Sequence, residues 1–222
     1  MVRVYKGFVV GLCGIALVGC GDIHSMFDSG LQGSGVSSKE TRTAKDFTKV
    51  EAGGSAQIQI TVGPSYSVAV EGDNNIVPLI ETTVDGDKLV IHNKKSISPK
   101  LDLVVKITMP HLDGVSLSGA TTTQIEGVNE DKLQLDTSGA SNVTIKGKAK
   151  NLDLSISGAG SVKADELETD YSKVEVSGAG NASVWADSHL DATAQGAGTI
   201  RYKGSPKNIG KSIDGAGSIE KE

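Results

Sequence analysis

Cysteine is almost missing from this chain. Of 222 residues two are Cys, at positions 13 and 20, and nothing from Asp22 onward is a cysteine. That excludes a disulfide framework and a thiolate metal site from the folded part. Aromatic residues are scarce too, with three Phe, four Tyr and one Trp, which argues against an enzyme built around a thick aromatic core. Proline is absent between His111 and Ser205, so every amide of that stretch is free to enter backbone pairing. Basic charge does not dominate: 22 Lys and Arg face 27 Asp and Glu, for a net charge of −5. A nucleic-acid binder needs a concentrated basic surface, so that class is excluded. Apolar length is also lacking near the start, where Phe8 to Val18 is a run of eleven residues, against the roughly 20 a membrane-spanning helix needs.

What is present begins with an address. Arg3 and Lys6 precede the short apolar run, and the run ends in Leu17-Val18-Gly19-Cys20. Basic flank, short apolar segment and small residue before Cys read as a signal peptide over residues 1–19. The ending resembles a bacterial lipobox, which implies a mature chain starting at a lipidated Cys20 and held to a membrane by palmitate-type acyl chains. Loss of Arg3 and Lys6 would leave 20 basic against 27 acidic residues, a charge of −7. Gly21 rather than an acid follows Cys20, which favours the outer over the inner membrane. Ser25 to Ser38 is rich in Ser and Gly, so residues 20–44 are expected to be a flexible tether.

Residues 111–222 repeat. Six triplets are centred on Gly119, Gly139, Gly158, Gly178, Gly196 and Gly215, with spacings of 20, 19, 20, 18 and 19. Two positions before each glycine lie Leu117, Thr137, Ile156, Val176, Ala194 and Ile213, and four before lie Val115, Leu135, Leu154, Val174, Ala192 and Lys211. Six before lie Asp113, Leu133, Leu152, Ser172, Leu190 and Ile209, while intervening positions such as Gln134, Asp153, Ser155 and Glu175 are polar. Alternation of period two predicts short strands with one buried face, two per repeat, joined at a glycine corner. A coil of about 19 residues cannot bury its own apolar face, so the pattern predicts stacked coils sharing one interior. The fold class expected is all-β, a parallel β-helix, with a less regular β-rich half over residues 45–110.

That first half has four prolines and no 19-residue period. Strands are expected at Gln57 to Val62, Ser67 to Glu71, Glu81 to Val84, Lys88 to His92 and Leu101 to Met109. Asp85-Gly86-Asp87 is a hairpin signal, and Asp73-Asn74-Asn75 before Ile76 to Ile80 reads as a capped helical turn. The half is expected to open the solenoid and cover one end, because a bare β-edge invites aggregation.

Three features together carry a family resemblance: the stretch FTKVEAGGSAQIQI (47–60) with SVAVEGDNNIVPLIETTVDGDKLVI (67–91), the strand ending MPHL (109–112), and the SGAG coils. The chain resembles the autotransporter-adhesin head GIN domain family over about residues 45–218. The resemblance implies a right-handed, pectin-lyase-like β-helix on envelope lipoproteins and an adhesion-like role, and it brings no catalytic residues.

Chemistry-bearing patterns are sparse. Asp136 and Asp153 sit at different offsets in their repeats, so they form no tight carboxylate pair of the kind glycoside cleavage uses. His24, His92, His111 and His189 share no metal-ligand spacing, and neither metal nor cofactor is expected. Ser118, Ser138, Ser157 and Ser177 align, but no His or Lys recurs beside them to activate a hydroxyl. Trp185 is read as outward-facing, in a column with Lys146, Asp165 and Lys203, where an indole could stack on a sugar ring while charges reach its hydroxyls. The expectation is therefore a non-enzymatic, lipid-anchored envelope or surface binding protein with a glycan or protein ligand. Alternatives are a polysaccharide-active β-helix enzyme, and a periplasmic structural module with a protein partner. Self-association is open in all three.

Overall fold

A computed structural model describes residues 30–222, so the signal peptide and Cys20 lie outside the described residues. Among the described residues, eighteen strands make up most of the structure. In chain order they are β1 (Leu31–Gln32), β2 (Ser37–Arg42), β3 (Lys49–Gly54), β4 (Gln57–Val62), β5 (Ser67–Asp73), β6 (Ile80–Asp85), β7 (Lys88–Asn93), β8 (Ile97–Ser98) and β9 (Val104–Met109). The coils follow as β10 (Gly114–Gly119), β11 (Thr122–Gly139), β12 (Asn142–Gly158), β13 (Ser161–Gly178), β14 (Asn181–Trp185), β15 (His189–Gly196), β16 (Thr199–Lys203), β17 (Asn208–Gly215) and β18 (Ser218–Lys221).

The coils form a parallel β-helix. One face runs through β7, β3, β10, the C-terminal halves of β11, β12 and β13, then β15 and β17. The second runs through β9, β4, the N-terminal halves of β11, β12 and β13, then β14, β16 and β18. Every pairing in these two ladders is parallel. Alternation along each strand buries Leu135, Leu154, Val174 and Ala192 in one column and Leu117, Ile156, Val176 and Ala194 in the next. Each large aliphatic side chain so buried contributes about 1.5–3 kcal/mol, and the stack merges them into one continuous core. The interior also holds polar members at apolar positions. Thr137 is buried with an unpaired hydroxyl, whereas the Ser172 hydroxyl donates to the Trp185 carbonyl at 2.8 Å.

The glycine column is a corner held by backbone. Gly54, Gly119, Gly139, Gly158, Gly178, Gly196 and Gly215 stack in register, all at positive φ. Across each step the following alanine amide donates to the glycine carbonyl of the coil before, as Ala159 does to Gly139 at 2.9 Å. The first member, Gly54, is not in an SGA triplet, and the period does not announce it.

In the first half, chain order and stacking order differ. β3 and β4 form one coil, but the next coil added to them in sequence, β7 with β9, lies on their outer side. The chain then returns across that coil so that β10 and β11 stack on the inner side. The outer coil is covered by antiparallel strands, β6 on β7, β5 on β9 and β2 on β5. Gly86, at φ 60°, turns the β6–β7 hairpin.

Two expectations need correction. The tether expected over 20–44 is not one from residue 30 on: β1 pairs with β8 and β2 with β5. What binds this Ser- and Gly-rich segment is the Asp73-Asn74-Asn75 run, expected to cap a helix. A single 3-10 turn does follow at Val77–Leu79, but its start has no side-chain cap. Instead buried Asp73 accepts the amides of Gly35 at 2.6 Å, Lys100 at 2.9 Å and Leu101 at 3.0 Å. These amides hold its carboxyl below the usual carboxylate range, that of Leu101 most of all, against the opposing effect of desolvation. Asn74 takes the Ser34 hydroxyl and Asn75 takes the Ser34 amide. The second correction is local. Asp113, expected inward, is exposed, and Leu112 is buried in its place.

The other end is bare by comparison. Every residue of β17 is exposed, with Ile209 at 44% and Ile213 at 49%. Lys211 occupies an inward column there, above Ala192. Its ammonium lies 4.8 Å from the Tyr202 ring centroid and donates to the Ile219 carbonyl at 3.2 Å.

Candidate functional site

Each coil has a third side between the two faces, and there the stack is grooved. Its rungs are Val128 to Lys132, Gly147 to Asn151 and Leu167 to Tyr171, in register as Glu130–Ala149–Thr169 inward and Lys132–Asn151–Tyr171 outward. Small inward residues at Ala149 and Thr169 leave the floor low. The groove has a volume of about 820 Å³ and runs from His111 and Asp113 across these rungs to Asp187.

Charge fills its walls. Lys148 pairs with Glu168 at 2.7 Å and Lys150 with Asp131 at 2.6 Å, and in each pair the carboxylate raises the amine's pKa. Glu130 points inward with its side chain 10% exposed. It accepts the Leu112 amide at 3.0 Å and lies 3.5 Å from His111 Nδ1. Six acids, Asp113, Glu130, Asp131, Glu168, Asp170 and Asp187, face three lysines in the lining, so the groove is net negative. Among the described residues no group of three or more His, Cys, Asp or Glu is arranged to hold a metal ion.

The column expected around Trp185 is brought together in part. Trp185 and Lys203 are register partners on adjacent coils. Lys203 reaches back past the Trp185 coil to Asp165 at 2.7 Å, which lowers the acid's pKa and raises the amine's. Lys146 is not in that group. A register shift after Thr144 sets it opposite Glu166, which it meets at 3.0 Å, because Asp165 is the extra residue of a β-bulge. The half-buried indole donates to Asp187 Oδ1 at 2.9 Å. The charges of this face are therefore spent largely on one another.

A second aromatic cluster was not anticipated. Tyr171 and His189 stack across adjacent coils, with ring centroids 4.9 Å apart and planes at 24°. Both hold Asp191, Tyr171 Oη donating at 2.8 Å and His189 Nε2 lying at 3.1 Å. These contacts, led by the tyrosine hydroxyl, lower the Asp191 pKa, and the carboxylate in turn raises that of Tyr171. The signal was in the repeat: seven residues before the corner glycines lie Lys132, Asn151, Tyr171, His189 and Asn208. That column is outward and chemically varied, where the corner columns are uniform.

With this geometry in place, comparison with known proteins is informative. The family model described as "Putative auto-transporter adhesin, head GIN domain" matches residues 46–206. The chain belongs to that family. A solved "putative adhesin" from Bacteroides fragilis has 27% identity and a TM-score of 0.74, covering 87% of this chain and 100% of its own. A "Putative lipid binding protein" from Parabacteroides distasonis has 22% identity and a TM-score of 0.55, covering 86% and 99%. A "putative adhesin" from Parabacteroides merdae has 18% identity and a TM-score of 0.54, covering 87% and 99%. At those identities the last two speak for the fold alone. No curated protein matches the chain. The GIN-domain match covers the first half from β3 onward and the coils through Pro206, while β1, β2, β17 and β18 lie outside it.

Proposed function

We propose that this GIN-domain chain is a non-enzymatic, adhesin-like binding module of the cell envelope, anchored by acyl chains on Cys20 and presenting its third side to a glycan or protein ligand. The observation that carries this reading is the continuous charged groove of about 820 Å³ along rigid, register-locked coils. A groove running along the stack suits an extended ligand better than a small enclosed one. Beyond the pairs Lys148–Glu168 and Lys150–Asp131, its lining carries Lys132, Asp113 and Asp170, charge that a ligand can meet. The lipobox-like sequence before Cys20 supports the anchor, and the family supports an adhesin-like role. Tethering at the N-terminal side would leave the covered end nearer the membrane and the groove accessible along its length.

The test pairs protease accessibility on intact cells with ligand arrays of glycans and surface proteins. A surface adhesin is cleaved on intact cells and retains a ligand, and double charge reversal at Lys148 and Lys150 reduces retention. Protection from protease together with capture of a periplasmic protein would favour the structural-module alternative, and release of reducing or unsaturated sugars would overturn the non-enzymatic reading.

A further inference from the structure

We infer that the recess beside Tyr171 is a subsite for one neutral hexopyranose unit of a glycan. This rests on the binding reading above and names a ligand class and a location for it. Next to the groove, and sharing Lys132 with it, lies a separate hollow of about 270 Å³. Asn151, Leu152, Asp153 and Lys173 complete its lining together with the Tyr171 ring. The volume is below the range of drug-sized ligand pockets and fits a single sugar ring.

The Tyr171 ring is built to stay in place. His189 stacks on it from the following coil and Asp191 holds its hydroxyl. The recess is formed with residues of the two preceding coils, so it opens on the other side of the ring from His189. An aromatic face carries negative quadrupole charge and attracts the polarised C–H groups of a pyranose, and a preorganised ring loses little entropy on binding. Around it are groups not used elsewhere. Among the described residues neither the Lys132 ammonium nor the Asp153 carboxylate has a hydrogen bond or ion-pair partner. Asn151 donates to the Asp131 carbonyl at 3.0 Å, which leaves its amide oxygen to accept. A donor, a carboxylate able to take two hydroxyls and an amide oxygen around an aromatic wall match a ring bearing several hydroxyls. Two lysines and one aspartate line the recess, but Lys173 is held by Glu175 at 2.8 Å and the groove alongside is net negative, so polyanionic chains are disfavoured and the unit is neutral.

The test uses the full chain, in a detergent without a sugar headgroup, with maltotetraose, cellotetraose, chitotetraose, mannotetraose and tetragalacturonate as probes. Binding is read by saturation-transfer NMR and calorimetry. At least one neutral tetrasaccharide is expected to saturate below about 10 mM, weak as single-ring sites are, while tetragalacturonate does not. Tyr171→Ala should weaken that binding about tenfold and Tyr171→Phe by less than about threefold, since the ring does the stacking. Asp153→Ala, at a side chain with no hydrogen bond or close ion pair and only longer-range attraction to Lys173, should weaken it about fivefold while changing stability no more than an ordinary surface substitution does. The subsite is overturned if no neutral probe binds, or if one binds equally to Tyr171→Ala and Asp153→Ala. In the second case glycan binding stands and is located elsewhere, whereas loss of all array binding by the unaltered chain would overturn the wider reading.

Discussion

Gly158→Ala should be among the most damaging single-methyl changes this chain can suffer. Gly158 sits mid-column at φ 120°, a region in which a non-glycine residue costs about 1–3 kcal/mol. The new Cβ would lie 2.5 Å from the Gly139 carbonyl oxygen. That oxygen already accepts the Ala159 amide at 2.9 Å, so it cannot retreat without loosening the inter-coil bond. Overpacking of this kind costs about 1–3 kcal/mol more, for a total of about 2–6 kcal/mol, a large share of the stability of an ordinary domain. The paired control is Gly86→Ala. Gly86 also has positive φ, 60°, but a Cβ there meets nothing within 4 Å. It should lose only the conformational part, about 1–2 kcal/mol. Urea unfolding followed by circular dichroism gives both values on the same chain. Equal losses would refute the close-approach account of the corner column and leave backbone conformation as its sole reason.

Other consequences are as direct. Ile156→Asp places a carboxylate in the core and should cost several kcal/mol or prevent folding, whereas Ser155→Lys, on the outward side between Asp136 and Glu175, should change stability by roughly 0.5 kcal/mol at most; comparable urea midpoints would refute the register. Because the folded-state pKa of Asp73 is depressed, its contribution is fully present above its ordinary pKa and is lost as pH falls through the folded value. Protection of the Gly35 and Leu101 amides relative to intrinsic exchange should therefore fall as pH drops below the ordinary aspartate value of about 4, and should already be reduced at neutral pH in Asp73→Asn; pH-independent protection would count against this role. Lys211→Ile removes an inward charge from an edge strand and should shift the chain toward larger species in sedimentation velocity. Cys20→Ser should release the protein from the membrane fraction, because stable anchoring depends on acyl chains.

The regular coils were legible because two independent signals coincide. The glycine corner marks the repeat, and period-two alternation around it fixes which side chains go inward. Neither signal depends on distant partners. The first half hides the same coil geometry because Gly54 and Gly119, neighbours in space, are separated by the chain that builds the outer coil and its cover. A spacing of that length carries no period. Asp73 reads as a helix cap for a similar reason: its local neighbours are those of a turn, but its partners are amides at 35, 100 and 101. Lys146 and Asp165 part company at a bulge that preserves the hydrophobic pattern on both sides, so counting residues from the corner cannot detect it.

The stack also separates what holds the fold from what can recognise a ligand. Inward columns must match their neighbours in size, since each side chain fills the space left by the coils on either side; hence Leu154, Val174 and Ala192 follow one another as gradual steps. Corner columns are bound by backbone and tolerate little variety. One of their serines joins that geometry, Ser138 donating to the Leu117 carbonyl at 3.3 Å. An outward column has no such constraint, because a change there leaves the interior and the ladder untouched. Lys132, Asn151, Tyr171, His189 and Asn208 change from each rung to the next while their backbones remain in register. The neighbouring outward column of Gln134, Asp153, Lys173 and Asp191 varies in the same way, so variety follows from facing outward; what sets the Tyr171 column apart is its place beside a groove and its aromatic stack.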